Sequence, residues 1–121
     1  MPLSWDHAAA LQRVDGDAEL LAELVEIFLD DYPRHLAALQ RSLAQKDYAA
    51  LHKAAHTLKG SLGYLGAGEG EQLAAAIEQA GQRPDEAKLQ ALNAELAAYV
   101  EALREAMLSS LGEGERAGRG R

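Results

Sequence analysis

The chain contains no cysteine, which excludes disulfide bonds, thiolate nucleophiles and thiolate zinc sites. Aromatic residues make up only 5% of its 121 residues, and β-branched residues are rare, so little in the sequence favours strands. No apolar run reaches the roughly 20 residues that span a bilayer. The start Met1-Pro2-Leu3-Ser4-Trp5-Asp6 lacks the basic and apolar regions of a signal peptide. We therefore expect a cytoplasmic protein that does not engage a membrane. Basic residues are also in short supply: 12 Lys and Arg stand against 19 Asp and Glu, a net charge of -7. That balance argues against nonspecific binding to nucleic acid or to an anionic lipid surface.

Alanine and leucine are abundant, and both favour helix. The length fits one domain with a small, simple core. Ser4 is placed to cap a short helix through about Arg13, with Trp5, Ala8, Ala9, Leu11 and Val14 as its apolar residues. Asp15-Gly16-Asp17 reads as a turn, and Asp17 as the cap of a long second helix. There Leu21, Leu24, Phe28, Tyr32, Leu36, Leu39 and Leu43 keep one stripe. The stripe holds its phase across Pro33, which predicts one kinked, continuous helix rather than two. Asp47 caps a third helix over about Tyr48 to Leu65, and residues 66–70, three of them glycine, turn out of it. A shorter helix to Ala80 points Leu73 and Ile77 inward and stops at Gly81. Pro84 opens the last helix, where Leu89, Leu92, Leu96, Tyr99, Leu103 and Met107 form a seam of heptad-like spacing.

Short connections force antiparallel neighbours. The predicted fold class is therefore all-α: an antiparallel up-down four-helix bundle over residues 1–108, with a short N-terminal extra helix. Residues 109–121, rich in Gly, Glu and Arg, have almost nothing to bury and are expected to form a disordered tail. Met1 at the start and such an end suggest a free-standing protein, and we expect a monomer.

The stretch from Ala55 to Ala67 organises the rest. Leu51, Ala55, Leu58, Leu62 and Leu65 form the apolar stripe of the third helix. At about 100° per residue, His56 points roughly 150° away from that stripe, into water. Lys59 lies within about 60° of His56 on the wheel, and Gly60 and Gly63 within about 40°. Glycine inside a helix costs roughly 1 kcal/mol relative to alanine, so two on one exposed face suggest that something large approaches the imidazole. Between Tyr48 and Gly68 there is no carboxylate, while His52, Lys53, His56 and Lys59 occur there. This is a local cationic strip in an acidic chain, favourable for a phosphoryl group. An exposed imidazole is nucleophilic near neutral pH, and a phosphorylated one retains high transfer potential.

His56-Thr57-Leu58-Lys59-Gly60-Ser61 followed by Leu65-Gly66-Ala67 resembles the signature of the histidine-containing phosphotransfer (HPt) domains of multistep phosphorelays. The likeness extends from Trp5 to about Leu108, including Val14-Asp15-Gly16-Asp17 and Phe28-Leu29. It implies a carrier that relays a phosphoryl group between receiver-domain aspartates, with His56 phosphorylated and Lys59 stabilising the phosphate. Gly60 would give access, and Ser61 would orient Lys59 or bond within the helix. The partners implied are receiver domains of response regulators or of hybrid sensor histidine kinases. Such a carrier is not an autonomous enzyme and needs no cofactor of its own, because the receiver brings the acid pocket and Mg²⁺. Tyr64 departs from the family, which often has a smaller polar residue such as Asn there. It lies about 80° from His56 on the exposed side and could contact a partner.

Two other readings compete. His52 and His56 have the i, i+4 spacing of a helical metal-ligand pair, but no third ligand is evident and Lys53 and Lys59 repel a cation, so we expect no metal. His52 then reads as a polar-face residue that lines the docking surface. A bundle that docks on a receiver without phosphotransfer would have no use for both His56 and Lys59. His7 and His35 have no chemical company and read as surface residues, and Trp5, Phe28, Tyr32 and Tyr99 read as core or core-edge.

Overall fold

Four of the five helices begin where an aspartate accepts a backbone N–H. The computed structural model describes residues 4–119, with side chains to Leu111. Its helices are α1 (His7–Arg13), α2 (Ala18–Ala44), α3 (Tyr48–Tyr64), α4 (Gly68–Ala80) and α5 (Glu86–Arg119). Asp6, Asp17, Asp47 and Asp85 accept from the N–H of Ala9, Leu20, Ala50 and Lys88 at 2.9–3.2 Å. Each such cap is worth about 1 kcal/mol, and its charge suits the positive end of the helix dipole. Asp17 and Asp47 are the expected caps. At α1 the carboxylate of Asp6 takes the capping role that the sequence suggested for Ser4, and at α5 Asp85 caps a helix that begins at Glu86, so that Pro84 lies just before it and not at its first position. α4 also starts earlier than expected, at Gly68, so that Gly68 and Gly70 lie within the helix and not in the turn.

α2 is continuous through Pro33, as its unbroken stripe predicts. α2 packs on α3 and α5, α4 packs on both α3 and α5, and α1 packs on α2. The order closes the four long helices into a bundle with α1 as a lid. Among the described residues there is no strand. Leu51, Ala55, Leu58, Leu62 and Leu65, the expected stripe of α3, are all buried with Leu21, Phe28, Leu39 and Ile77. At about 25 cal/mol per Å² of apolar surface removed from water, this shared interior is the main favourable term holding the helices together.

α5 corrects the sequence reading twice. Its buried seam is Leu89, Asn93, Leu96, Val100, Leu103 and Met107, whereas Leu92 and Tyr99 lie half-buried on its flank. Tyr99 is drawn towards α4 instead, where a Cβ on Gly70 would overlap its ring. The chosen seam alternates steps of four and three, and its cost is a buried Asn93 whose amide atoms find no partner. The helix also runs on to Arg119, past Ser109, where a disordered tail was expected. Leu111 still packs against the core, and extending a formed helix adds a hydrogen bond per residue without a new nucleus. Residues 120–121 lie outside the described residues.

The lid fixes the end of the helix that carries the motif. Trp5 is buried, and its indole Nε1 donates to the Leu65 carbonyl at 2.8 Å. Gly66 follows with φ +73°, a left-handed turn that glycine adopts without strain. Its missing side chain leaves room for the backbone of Asp6 and Ala10.

Candidate functional site

The α3 sequence needs its stripe inward, and that forces His56 outward: its side chain is 67% exposed. Nε2 of the ring has no hydrogen-bond partner among the described residues, whereas Nδ1 lies 3.2 Å from Glu78 Oε2. The same oxygen is 3.3 Å from His52 Nε2. The two imidazoles are near-parallel, at 9°, with centroids 6.2 Å apart. Lys59 Nζ is 2.9 Å from the other oxygen, Oε1. Oε1 has no aligned hydrogen-bond donor, so the Lys59 contact is carried chiefly by the proximity of opposite charges. One carboxylate thus gathers both histidines and the lysine that the sequence singled out.

Glu78 was not among the residues singled out from the sequence, and it corrects the picture of a strip free of carboxylates. α4 buries Gly70, Ala74, Ile77 and Glu78, so Glu78 lies on the inward face and enters the strip from the neighbouring helix. A signal was present: a carboxylate one turn beyond Ala74 on an apolar stripe needs a cation, and the surplus of cations is on α3. Burial pushes the Glu78 carboxyl up, but the Lys59 ammonium and the His56 hydrogen bond outweigh it and hold the group below its ordinary range. Glu78 is therefore an anion at neutral pH.

The two glycines of α3 part company. A Cβ on Gly60 would meet nothing within 4 Å, so that position is open. Gly63 is buried, and a Cβ there would run into the carboxylate of Glu71 on α4. The expected open face holds for Gly60 alone, since the antiparallel approach of α4 covers Gly63. Ser61 Oγ donates to the Thr57 carbonyl at 3.2 Å, so its bond is within the helix and not to Lys59. Tyr64 is 49% exposed. With Gly60, Ser61, Ile27 and Phe28 it borders an open groove of about 350 Å³ between α2 and α3. His35 also lines this groove, so it has company that its sequence position did not suggest. His7 stacks on Trp5, with centroids 5.1 Å apart.

Among the described residues, no group of three His, Cys, Asp or Glu side chains is arranged to hold a metal ion, and none of the helices is long and apolar enough to cross a membrane. What the cluster can do chemically is present a nucleophilic nitrogen. A carboxylate accepting from Nδ1–H selects the tautomer with its lone pair on Nε2, the exposed nitrogen.

Comparison with known proteins agrees with this geometry. No curated protein matches the chain. The solved HPT domain of the Hpt sensor hybrid histidine kinase from Shewanella has a similar fold, with a TM-score of 0.79 at 24% identity, covering 90% of this chain and 94% of that one. The model of the Hpt domain family matches residues 23–106, a span that contains His56, Lys59 and Glu78. The chain belongs to the Hpt domain family, the histidine phosphotransfer domains of two-component phosphorelays.

Proposed function

We propose that His56 accepts a phosphoryl group on Nε2 from the phospho-aspartate of one receiver domain and passes it to the aspartate of another. The observation that carries this reading is the contact between Glu78 Oε2 and His56 Nδ1 at 3.2 Å, with Nε2 left free towards solvent. As Nε2 attacks phosphorus, the N–P bond forms and the P–O bond to the donor aspartate breaks. The carboxylate leaves with the electron pair. The ring keeps its Nδ1 proton and becomes cationic, and the Glu78 anion stabilises that charge. In the return step the cationic ring is the better leaving group. Lys59, 34% exposed, is within reach of the same cluster and supplies a positive charge for the phosphoryl oxygens.

The receiver seats over the open side of α3. Gly60 leaves the approach clear, and Ile27, 57% exposed, and Tyr64 offer apolar contact beside the groove. We assign Mg²⁺ to the receiver, because the carboxylate beside His56 is already engaged by Lys59 and both imidazoles. This chain is then a carrier, with the transfer chemistry completed by its partners, acting as a monomer in the cytoplasm. The test is to mix the protein with a phosphorylated receiver domain and map the label. Acid-labile, base-stable phosphate on His56 is expected. Label on another residue, or none, overturns the assignment.

A further inference from the structure

Glu78 has three partners, and one of them is needed elsewhere during the reaction. Its side chain is 11% exposed, with Lys59 at 2.9 Å from Oε1 and both His56 and His52 against Oε2. A carboxylate so buried is costly to leave without a cation. A phosphoryl group on His56 brings up to two negative charges into the same cluster against the one positive charge that the ring gains, and it draws on the same ammonium, so the cluster ends about one negative charge richer while Lys59 is shared between two anionic groups. Glu71, the other inward acid of α4, faces Gly63. Among the described residues no side chain of α2 or α5 is ion-paired to the cluster. The remaining group that touches Glu78 and can change its charge is His52, whose Nε2 is 3.3 Å away and whose side chain is 46% exposed.

We propose that His52 is a reserve cation: when Lys59 turns to the phosphoryl group on His56, His52 takes a proton from solvent and holds Glu78 in its place. The inference rests on the phosphotransfer reading above. The transfer itself stays balanced as described, with the N–P bond formed, the P–O bond broken and the Nδ1 proton of His56 retained. The additional proton completes the imidazolium of His52. Its sign follows from Coulomb's law: added negative charge nearby favours the protonated imidazole, and by linkage the protonated imidazole favours the phosphorylated protein. His52 is thus a positioning residue that acts through Glu78, not the docking residue its sequence position suggested.

The experiment is an equilibrium one, because docking rates do not alter it. A purified receiver domain phosphorylated with acetyl phosphate is mixed with wild type, His52→Gln or His52→Lys. The ratio of phosphohistidine to phospho-receiver is then measured from about pH 5 to about pH 8, the window in which an imidazole side chain changes charge. The receiver's own pH dependence is common to all three and divides out. In wild type relative to His52→Gln, the ratio should rise as pH falls, by up to about tenfold per pH unit. His52→Lys, with a permanent cation, should keep the high ratio at the alkaline end. His52 ring resonances should move towards those of imidazolium when His56 is phosphorylated. A wild-type to His52→Gln quotient that is flat with pH, or His52 resonances unmoved by phosphorylation, overturns the proposal while leaving the phosphotransfer reading intact. Labelling of a His56→Gln control overturns both.

Discussion

The two flanks of α3 are built on opposite plans. On the α4 side a buried carboxylate ties together His52, His56 and Lys59. On the α2 side lies an open groove bordered by Ile27, Phe28 and Tyr64, with Gly60 at its edge. His56 stands on the ridge between them. Under the proposed function the difference is a division of labour along one helix: the closed, charged flank would set the chemistry of the ring, and the open, apolar flank would be left for a partner. A carrier that meets several receivers benefits from this separation, since docking contacts can vary without disturbing the tautomer of the nucleophile.

The comparison breaks most completely at the ridge. His56→Gln should abolish phosphoryl transfer from a phosphorylated receiver, yet change stability by no more than about 0.5 kcal/mol, as expected for an exposed side chain. Labelling of that variant, or a large loss in thermal stability, would refute it. The charged flank comes next. Glu78→Gln removes the anion but keeps the shape. A hydrogen bond to a charged acceptor is worth roughly 1.5–3 kcal/mol, so transfer should slow by about tenfold to a hundredfold.

The same variant tests the pH dependence of stability. Glu78 has a lowered carboxyl pKa when folded. The stability it contributes is therefore fully present above its ordinary value of 4.5 and is lost as pH falls through that value and then through the folded one. On acidification through this range wild type should lose more stability than Glu78→Gln. Parallel acid-unfolding curves would remove Glu78 from the account. Lys59→Ala should have a smaller effect, about fivefold on transfer, the scale of a partly exposed ion pair. It should also shorten the phosphohistidine lifetime without eliminating labelling.

The sequence disclosed one flank far better than the other. His56, Lys59 and Gly60 lie within one turn of a single helix, so a wheel drawn at 100° per residue sufficed to group them, and the family resemblance gave them roles. The five α3 stripe residues went to the core for the same reason: a periodic apolar face has only one way to be buried. Glu78 was missed because it reaches His56 across an interhelical contact 22 residues away in sequence, and a wheel does not encode which helices pack side by side. Gly63 was misplaced by the same blindness, since the wheel put it beside His56 but could not show α4 covering it. The α5 seam failed differently. Leu92 and Tyr99 look like better core residues than Asn93, yet Asn93 and Val100 are buried while Tyr99 sits on the flank with its ring over Gly70, a contact that the spacing within one helix does not encode.

The smallest effects divide the two glycines, and they sharpen the comparison most. Gly60→Gln should stabilise the protein, by roughly 0.5–1 kcal/mol, because glutamine is the better helix former and its Cβ has open space. Transfer should nevertheless slow at low receiver concentration and recover at high concentration, because the added side chain lies on the approach to the groove. Gly63→Ala faces the other flank. There the gain in helix propensity is opposed by the displaced Glu71 carboxylate, whose flexible side chain can move aside. The net change in stability should be near zero, and the dependence of transfer on receiver concentration should match wild type. Thermal unfolding and concentration-dependent transfer rates on both variants decide the matter. If Gly63→Ala weakens receiver docking as Gly60→Gln does, the receiver covers both flanks of α3, and the separation of chemistry from recognition does not hold.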